Sequence, residues 1–193
     1  AGQPALTNSQ QVFLRATVEQ YRELIAPPTD EAEPQELLWL AQVQHRLSGL
    51  VGRLGDREEA LKLLEQASET LGRIPTASDS NELRLFRAKV AHEQQTWLAD
   101  LGQFARAVEV LEAAIQNTRL VLDTDPENRQ ASQQLGQMLS DLGNNYRFLR
   151  RGSESLQLFQ EAVAWNLKVF EREPASPIVA RQLAISRSRL GLM

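Results

Sequence analysis

Cysteine is absent from the 193 residues, and histidine occurs only twice. The first absence excludes disulfides, thiolate-bound zinc, iron–sulfur clusters and thiol nucleophiles. Two histidines leave little from which to build a metal centre, so no metal and no cofactor is expected. Positive charge is also short. The 21 Lys and Arg against 25 Asp and Glu give a net charge of −4 and a pI near 5.3, which argues against a nucleic-acid binder. Mean hydropathy is −0.37, and no apolar run approaches the ~20 residues a membrane helix needs, so direct membrane insertion is not expected. Sustained period-two alternation and Val/Ile/Thr clusters are missing, which removes strands from the expected elements.

What is present is self-similarity. Pro27, Pro75, Pro126 and Pro174 stand 48, 51 and 48 residues apart, each after a long apolar-periodic stretch. The run Asp125-Pro126 to Leu135 aligns at a shift of 48 with Glu173-Pro174 to Leu183, and Leu142-Gly143 aligns with Leu190-Gly191. Each period reads as two helices. In the first, Leu37, Leu40, Ala41, Gln44, Leu47 and Val51 recur at three- and four-residue steps before Gly55 breaks the run. Asp56 and Glu59 form a candidate capping box for a helix with Ala60, Leu64, Ala67 and Leu71 on one face. In the second, Ala91, Leu98 and Leu101 precede Gly102, and Phe104, Ala107, Val108, Leu111, Ala114 and Ile115 mark the returning helix. In the third, Asp125 is the expected cap with Pro126 at the first helical position. Leu139, Leu142 and Tyr146 carry its inner face, and Leu156, Phe159, Ala162 and Val163 carry the partner helix. Small residues recur where paired helices should approach closely: Ala60, Ala107 and Ser155, then Ala67, Ala114 and Ala162.

These residues resemble tetratricopeptide (TPR) repeats, antiparallel helix pairs with Leu-Gly and Tyr in the first helix and Ala, Phe and Ala in the second. Leu142, Gly143, Tyr146, Ser155, Phe159 and Ala162 occupy those positions in the third period, and Leu47, Ser48, Val51, Gly55, Ala60, Leu64 and Ala67 in the first. The second departs, with Gln94 and Gln95 where Leu and Gly belong. The usual period is ~34 residues, and the roughly 14 extra residues, about four helical turns, are expected in longer second helices such as 103–122. The resemblance implies an all-α, right-handed superhelical solenoid of antiparallel helix pairs. Its expected divisions are 8–27 as the second helix of a preceding unit, 30–75, 79–126 and 126–174 as three units, and 176–193 as the first helix of a fourth. The pattern at this long period also resembles the repeat arrays downstream of the kinase domain in large bacterial Ser/Thr protein kinases. The kinase's own Gly-rich loop, His-Arg-Asp and Asp-Phe-Gly are not in these residues. Catalysis, under that likeness, would belong to a parent chain.

Function then points to a protein or peptide partner bound by first helices that line the concave side of the array. The residues expected there are Gln42, His45, Arg46, Gly49 and Arg53, then Lys89, His92, Glu93, Thr96 and Asp100, then Gln137, Ser140, Asp141, Asn144 and Arg147. His45 and His92 hold the same place in their units and should stack, either as spacers on a polar face or as contacts that hydrogen-bond a ligand. His45/Gly49 and Ser140/Asn144 stand where some relatives carry a Lys/Asn and Lys/Arg carboxylate clamp, so binding of a partner's terminal carboxylate in that manner is not expected. His92-Glu93 lacks the second His at position 96 that a helical zinc site requires. Nor does any Ser sit in a recognisable nucleophile elbow.

Charge is uneven: residues 1–125 hold 12 basic and 19 acidic side chains, and residues 126–193 hold 9 and 6. Arg147, Arg150 and Arg151, with Arg181, Arg187 and Arg189, form either a solvated surface or a landing site for an acidic segment. Asp30, Glu31, Glu33 and Glu36 favour a helix N-terminus. Trp39, Trp97 and Trp165 either pack between helices or anchor an interface. The start Ala1-Gly2-Gln3-Pro4 has neither the basic residues nor the apolar stretch of a signal peptide, and an upstream extension is expected. The last helix reaches Leu190-Gly191 without a pairing helix, so that end is either a cut or is covered by a second copy as a homodimer.

Overall fold

Helix starts in this chain are written by short polar residues at the right distance from apolar runs, and the computed structural model, which describes residues 7–25 and 31–192, shows which of them act. Pro27 and Asp30 lie outside the described residues. Among the described residues there are eight α-helices, one short 3₁₀ turn at Thr76–Ser78 and no strands. They are α1 (Asn8–Leu24), α2 (Pro34–Arg53), α3 (Arg57–Gly72), α4 (Asn81–Asp100), α5 (Phe104–Thr124), α6 (Arg129–Phe148), α7 (Gly152–Arg172) and α8 (Pro177–Leu190).

Thr7 and Gln10 close a reciprocal capping box on α1. Asp56 caps α3 by accepting from the Glu59 N–H at 3.0 Å. Ser80, Asn128 and Ser176 do the same for α4, α6 and α8. Asp125 does not cap α6. It ends α5, where its N–H reaches the Val121 carbonyl, and the Asn128 N–H then bonds back to the Asp125 carbonyl at 3.1 Å. Pro126 is therefore the second residue of a β-turn, where its fixed φ is favourable, and Asn128 starts the helix. The aligned Glu173-Pro174-Ala175-Ser176 segment closes the same turn, with the Ser176 N–H on the Glu173 carbonyl at 3.0 Å before α8 begins.

The extra length of the period is not confined to the second helices. The first helices α2, α4 and α6 each have 20 residues, and α5 and α7 have 21. Paired helices bury one another only along their shared length, so elongating one alone would leave an apolar overhang.

The chain divides into two compact units, Ala1–Ser78 and Asp79–Met193. In the first, α1 lies against α2 and α2 against α3. Leu37, Leu40, Ala41, Leu47 and Val51 of α2 and Ala60, Leu64, Ala67 and Leu71 of α3 are buried. Gln44 joins that face without breaking it, because its Oε1 accepts from the Thr70 hydroxyl at 3.0 Å. In the second, α4 pairs with α5, α6 with α7, and α5 and α7 also pack on α6 and α8. Val108, Leu111, Ala114 and Ile115 of α5 meet Leu135, Met138, Leu139, Leu142 and Tyr146 of α6 in one core cluster. All six small residues expected at close helix approaches are buried. Leu156 departs from expectation: it is 38% exposed and does not carry the inner face of α7.

Candidate functional site

Two helix–helix contacts beyond the pairs place the site. Within the second unit α4 touches α6 and α6 touches α8, so these three first helices lie side by side. Their apolar faces turn to the core, and the residues one or two positions further round form a polar stripe.

At its centre is a relay across the three helices. The half-buried His92 on α4 donates from Nε2 to Asp141 Oδ2 at 2.8 Å, and Arg189 Nη1 on α8 donates to Asp141 Oδ1 at 2.7 Å. Arg189 also donates to Ser140 Oγ at 2.9 Å. Burial pushes the Asp141 carboxyl upward, but the hydrogen bonds and charges of His92 and Arg189 outweigh it and hold the group below its ordinary value. The carboxylate is thereby ionised and charge-matched. Beneath the relay, buried Asn145 on α6 donates to Oε1 of buried Gln95 on α4 at 3.0 Å.

Of the expected binding residues, the structure brings His92 and Asp141 together directly, and Ser140 to the same cluster through Arg189. Thr96 is exposed and donates to the His92 carbonyl. Lys89 and Gln137 are exposed, Glu93 is half-buried, and Asn144 accepts from Arg147 at 2.9 Å. Gln42, Arg46 and Arg53 are exposed and His45 is half-buried on α2, within the first unit.

The arginine cluster at the α6–α7 turn is divided by its neighbours. Arg147 lies 5.2 Å over the Phe148 ring, which stacks on Phe104 with centroids 4.5 Å apart. Arg151 covers the Tyr146 ring at 4.3 Å and pairs with Glu154 at 2.9 Å. Hydrogen bonds from the Ser153 hydroxyl, from the Glu154 backbone N–H and from Arg151 hold the Glu154 carboxyl down to about 2. Tyr146 itself donates to Glu112 Oε1 at 2.6 Å, and that bond raises its hydroxyl above the ordinary value. The tryptophans also divide. Trp165 packs against the core and donates to the Ser132 carbonyl at 2.8 Å, whereas Trp39 is 50% exposed.

Sequence reasoning missed an opening on this face. A cleft of about 320 Å³ lies between α6 and α8, with Gly136, Gln137, Ser140 and Asp141 on one side and Ile178, Arg181, Gln182, Ile185 and Arg189 on the other. The signal was available in the 48-residue register, which sets Ile185 and Arg189 at the places of Gln137 and Asp141. Ser140 Oγ accepts from Arg189 and makes no hydrogen bond to His92, so no nucleophile–base pair is assembled here. Among the described residues no group of three His, Asp or Glu side chains is placed to hold a metal ion. No helix of the described residues is long and apolar enough to cross a membrane. The arrangement offers fixed hydrogen-bond donors, acceptors and charges on rigid helices, which is the chemistry of recognition.

No protein-family model matches the chain, and no curated protein matches it in sequence. Solved structures do. The yeast histone chaperone Hif1, a scaffold protein recruiting protein complexes to core histones, superposes with a TM-score of 0.63 at 15% identity, over 94% of each chain. BtubC from P. vanneervenii gives a TM-score of 0.61 at 15% identity, over 95% of this chain and 72% of its own. MamA gives 0.50 at 9% identity, over 98% and 95%. Likeness at such identities speaks to the fold and not to the ligand. The fold is a TPR-like, all-helical repeat.

Proposed function

We propose that the chain is a non-catalytic protein-interaction scaffold that holds a partner segment on the polar face of its first helices. The observation that carries this reading is the relay from His92 through Asp141 to Arg189, which pins α4, α6 and α8 to one another. Side chains beside it, such as Lys89, Thr96 and Gln137, project from helices already fixed by their neighbours. A partner docking there loses little free energy to ordering the surface, so affinity comes from preorganisation. By repeat register, Gln42, His45, Arg46 and Arg53 hold the corresponding places on α2 of the first unit and are proposed as partner contacts there. The scaffold role described for Hif1 supports the reading by analogy of fold.

The test compares partner capture by the full chain with that of Lys89→Glu, Gln137→Arg and Arg147→Glu variants. Gln116→Arg on α5 and Glu171→Arg on α7 serve as controls at exposed positions elsewhere. Loss of the same partners from the first three variants and retention by the controls is expected. Equal retention by all five variants contradicts the reading. A narrower reading, the sensor or substrate-docking arm of a bacterial Ser/Thr protein kinase, is favoured by the Asp125-Pro126-Glu127-Asn128 repeat pattern alone. It predicts a native polypeptide in which these residues and a kinase catalytic domain occur together.

A further inference from the structure

The cleft between α6 and α8 exists because α6 is trimmed where the preceding first helix is not. Gly136 and Ser140 stand about one turn apart on its cleft-lining face, and their counterparts on α4 are Ala88 and His92. The His92 imidazole bridges to the next helix, whereas the Ser140 hydroxyl is too short to fill the same space. Gly136 is kept small by Asn166, since a Cβ there would lie 2.0 Å from the Asn166 Oδ1. Asn166 is itself 1% exposed and bonded to the Gly136 carbonyl and the Ser186 hydroxyl, so it has nowhere to move.

The facing wall has a definite chemistry. Ile178 and Ile185 are 61% and 39% exposed, and between them Arg181 is exposed with no hydrogen-bond or ion-pair partner among the described residues. Helix α8 carries three arginines and no acidic residue. The only carboxylate in the cleft, Asp141, is already matched by His92 and Arg189. Gln182 donates to Gln137 across the opening at 3.4 Å, a long bond that exchanges readily, and the buried Oε1 of Gln182 accepts nothing. The cleft is therefore positive, mixed apolar and amide-lined.

We propose that this cleft holds an extended acidic segment of a partner protein, with a carboxylate on Arg181 and an apolar side chain against Ile178 and Ile185. The amides of Gln137 and Gln182 exchange their mutual bond for bonds to the peptide backbone, whose N–H and C=O groups need partners when buried. The two isoleucines are separated by two helical turns, about 10 Å, a span that about three residues of an extended peptide cover. The proposal rests on the scaffold reading and narrows it to one place and one ligand chemistry.

The test selects random displayed peptides on the full chain and measures the enriched peptides by fluorescence polarisation. Enriched sequences are expected to carry Asp or Glu within a few residues of Leu, Ile or Val, and to bind more weakly as salt rises. Arg181→Glu and Ile185→Ser, both at exposed side chains, are each expected to weaken binding about tenfold or more. Ser140→His, which fills the cleft as His92 fills its own, is expected to do the same. Circular dichroism melting of each variant separates lost binding from lost folding. Enrichment of peptides without acidic residues, no enrichment at all, or undiminished binding to Arg181→Glu and Ile185→Ser overturns the proposal. If binding is instead lost only on Lys89→Glu and Thr96→Arg, the scaffold reading stands and the cleft falls. If none of these variants affects binding, both fall. A concentration-dependent dimer abolished by Ile185→Ser assigns the cleft to a second copy and also overturns the acidic-peptide proposal.

Discussion

The α4–α5 and α6–α7 pairs share one register and close the helix crossing with different side chains. In α6–α7 the Phe159 ring lies where a Cβ on Gly143 would sit 3.0 Å away, and Ser155 donates to the Gly143 carbonyl at 2.7 Å. In α4–α5 the same positions hold Leu111, Gln95 and Ala107. A leucine leaves room that a phenyl ring takes, so the first helix can carry a glutamine, and Gln95 uses its amide to hold Asn145 of the next pair. The departure from the repeat pattern in the second period is thus a coordinated exchange of ring and glycine for leucine and glutamine. The turns differ in the same local way. Gly55 and Gly102 take positive φ of 96° and 75°, and the third turn places Arg150 there at 59°. All three turns keep the bond that closes a helix end, from Asp56, Gln103 and Arg151 N–H groups to the carbonyls of Val51, Leu98 and Tyr146.

The largest effect is expected from forcing one pair to adopt the other's solution. Gly143→Gln drives a side chain into the Phe159 ring and should cost about 3 kcal/mol in urea unfolding. Phe159→Leu in the same chain should restore most of that loss, which additivity of independent sites would not allow. Smaller is the effect of the relay: Asp141→Asn should cost about 2 kcal/mol at neutral pH, the scale of a buried charge-assisted hydrogen bond. Because the folded Asp141 pKa is depressed, the stability it supplies is full above its unfolded value of ~3.9 and fades as pH falls through the folded value. The Asp141→Asn protein should therefore lose less stability than the parent on acidification below pH ~4. The smallest change is expected at the third turn. Arg150→Gly relieves roughly 1–2 kcal/mol of left-handed strain and restores ~0.4–1 kcal/mol of unfolded-chain freedom, for a net gain of about 0.5 kcal/mol. Gly102→Ala, with open space around its Cβ, should lose about 1 kcal/mol from backbone conformation alone.

Helix number, pairing and most of the core were legible because burial at three- and four-residue spacing leaves a periodic trace in Leu, Ala and Val. Cap positions were partly legible. Asp56, with Glu59 three residues on, marks the start of α3 correctly, but Asp125-Pro126 satisfies the rule for a helix start and the rule for a β-turn equally well. What decides between them is Asn128, whose side chain caps α6 while its amide donates back to Asp125. The polar stripe could be placed on the first helices from register, yet its internal partners could not. His92 meets Asp141 and Ser140 meets Arg189, each one position further along the next first helix, an offset set by how the helices cross. The cleft depends on the short Ser140 side chain leaving space that His92 fills at its counterpart position and on Asn166 holding Gly136 bare, and neither fact has a signature along the chain.

A heteronuclear NMR titration of the uniformly labelled chain with an acidic-apolar peptide reads the binding face residue by residue. Saturable shifts confined to the resonances of Thr96, Gln137, Ser140, Arg181, Gln182 and Ile185 are the expected result. Shifts spread instead over exposed positions of α5 and α7 such as Gln116 and Glu171, with those six unmoved, would contradict a partner-binding face on α4, α6 and α8.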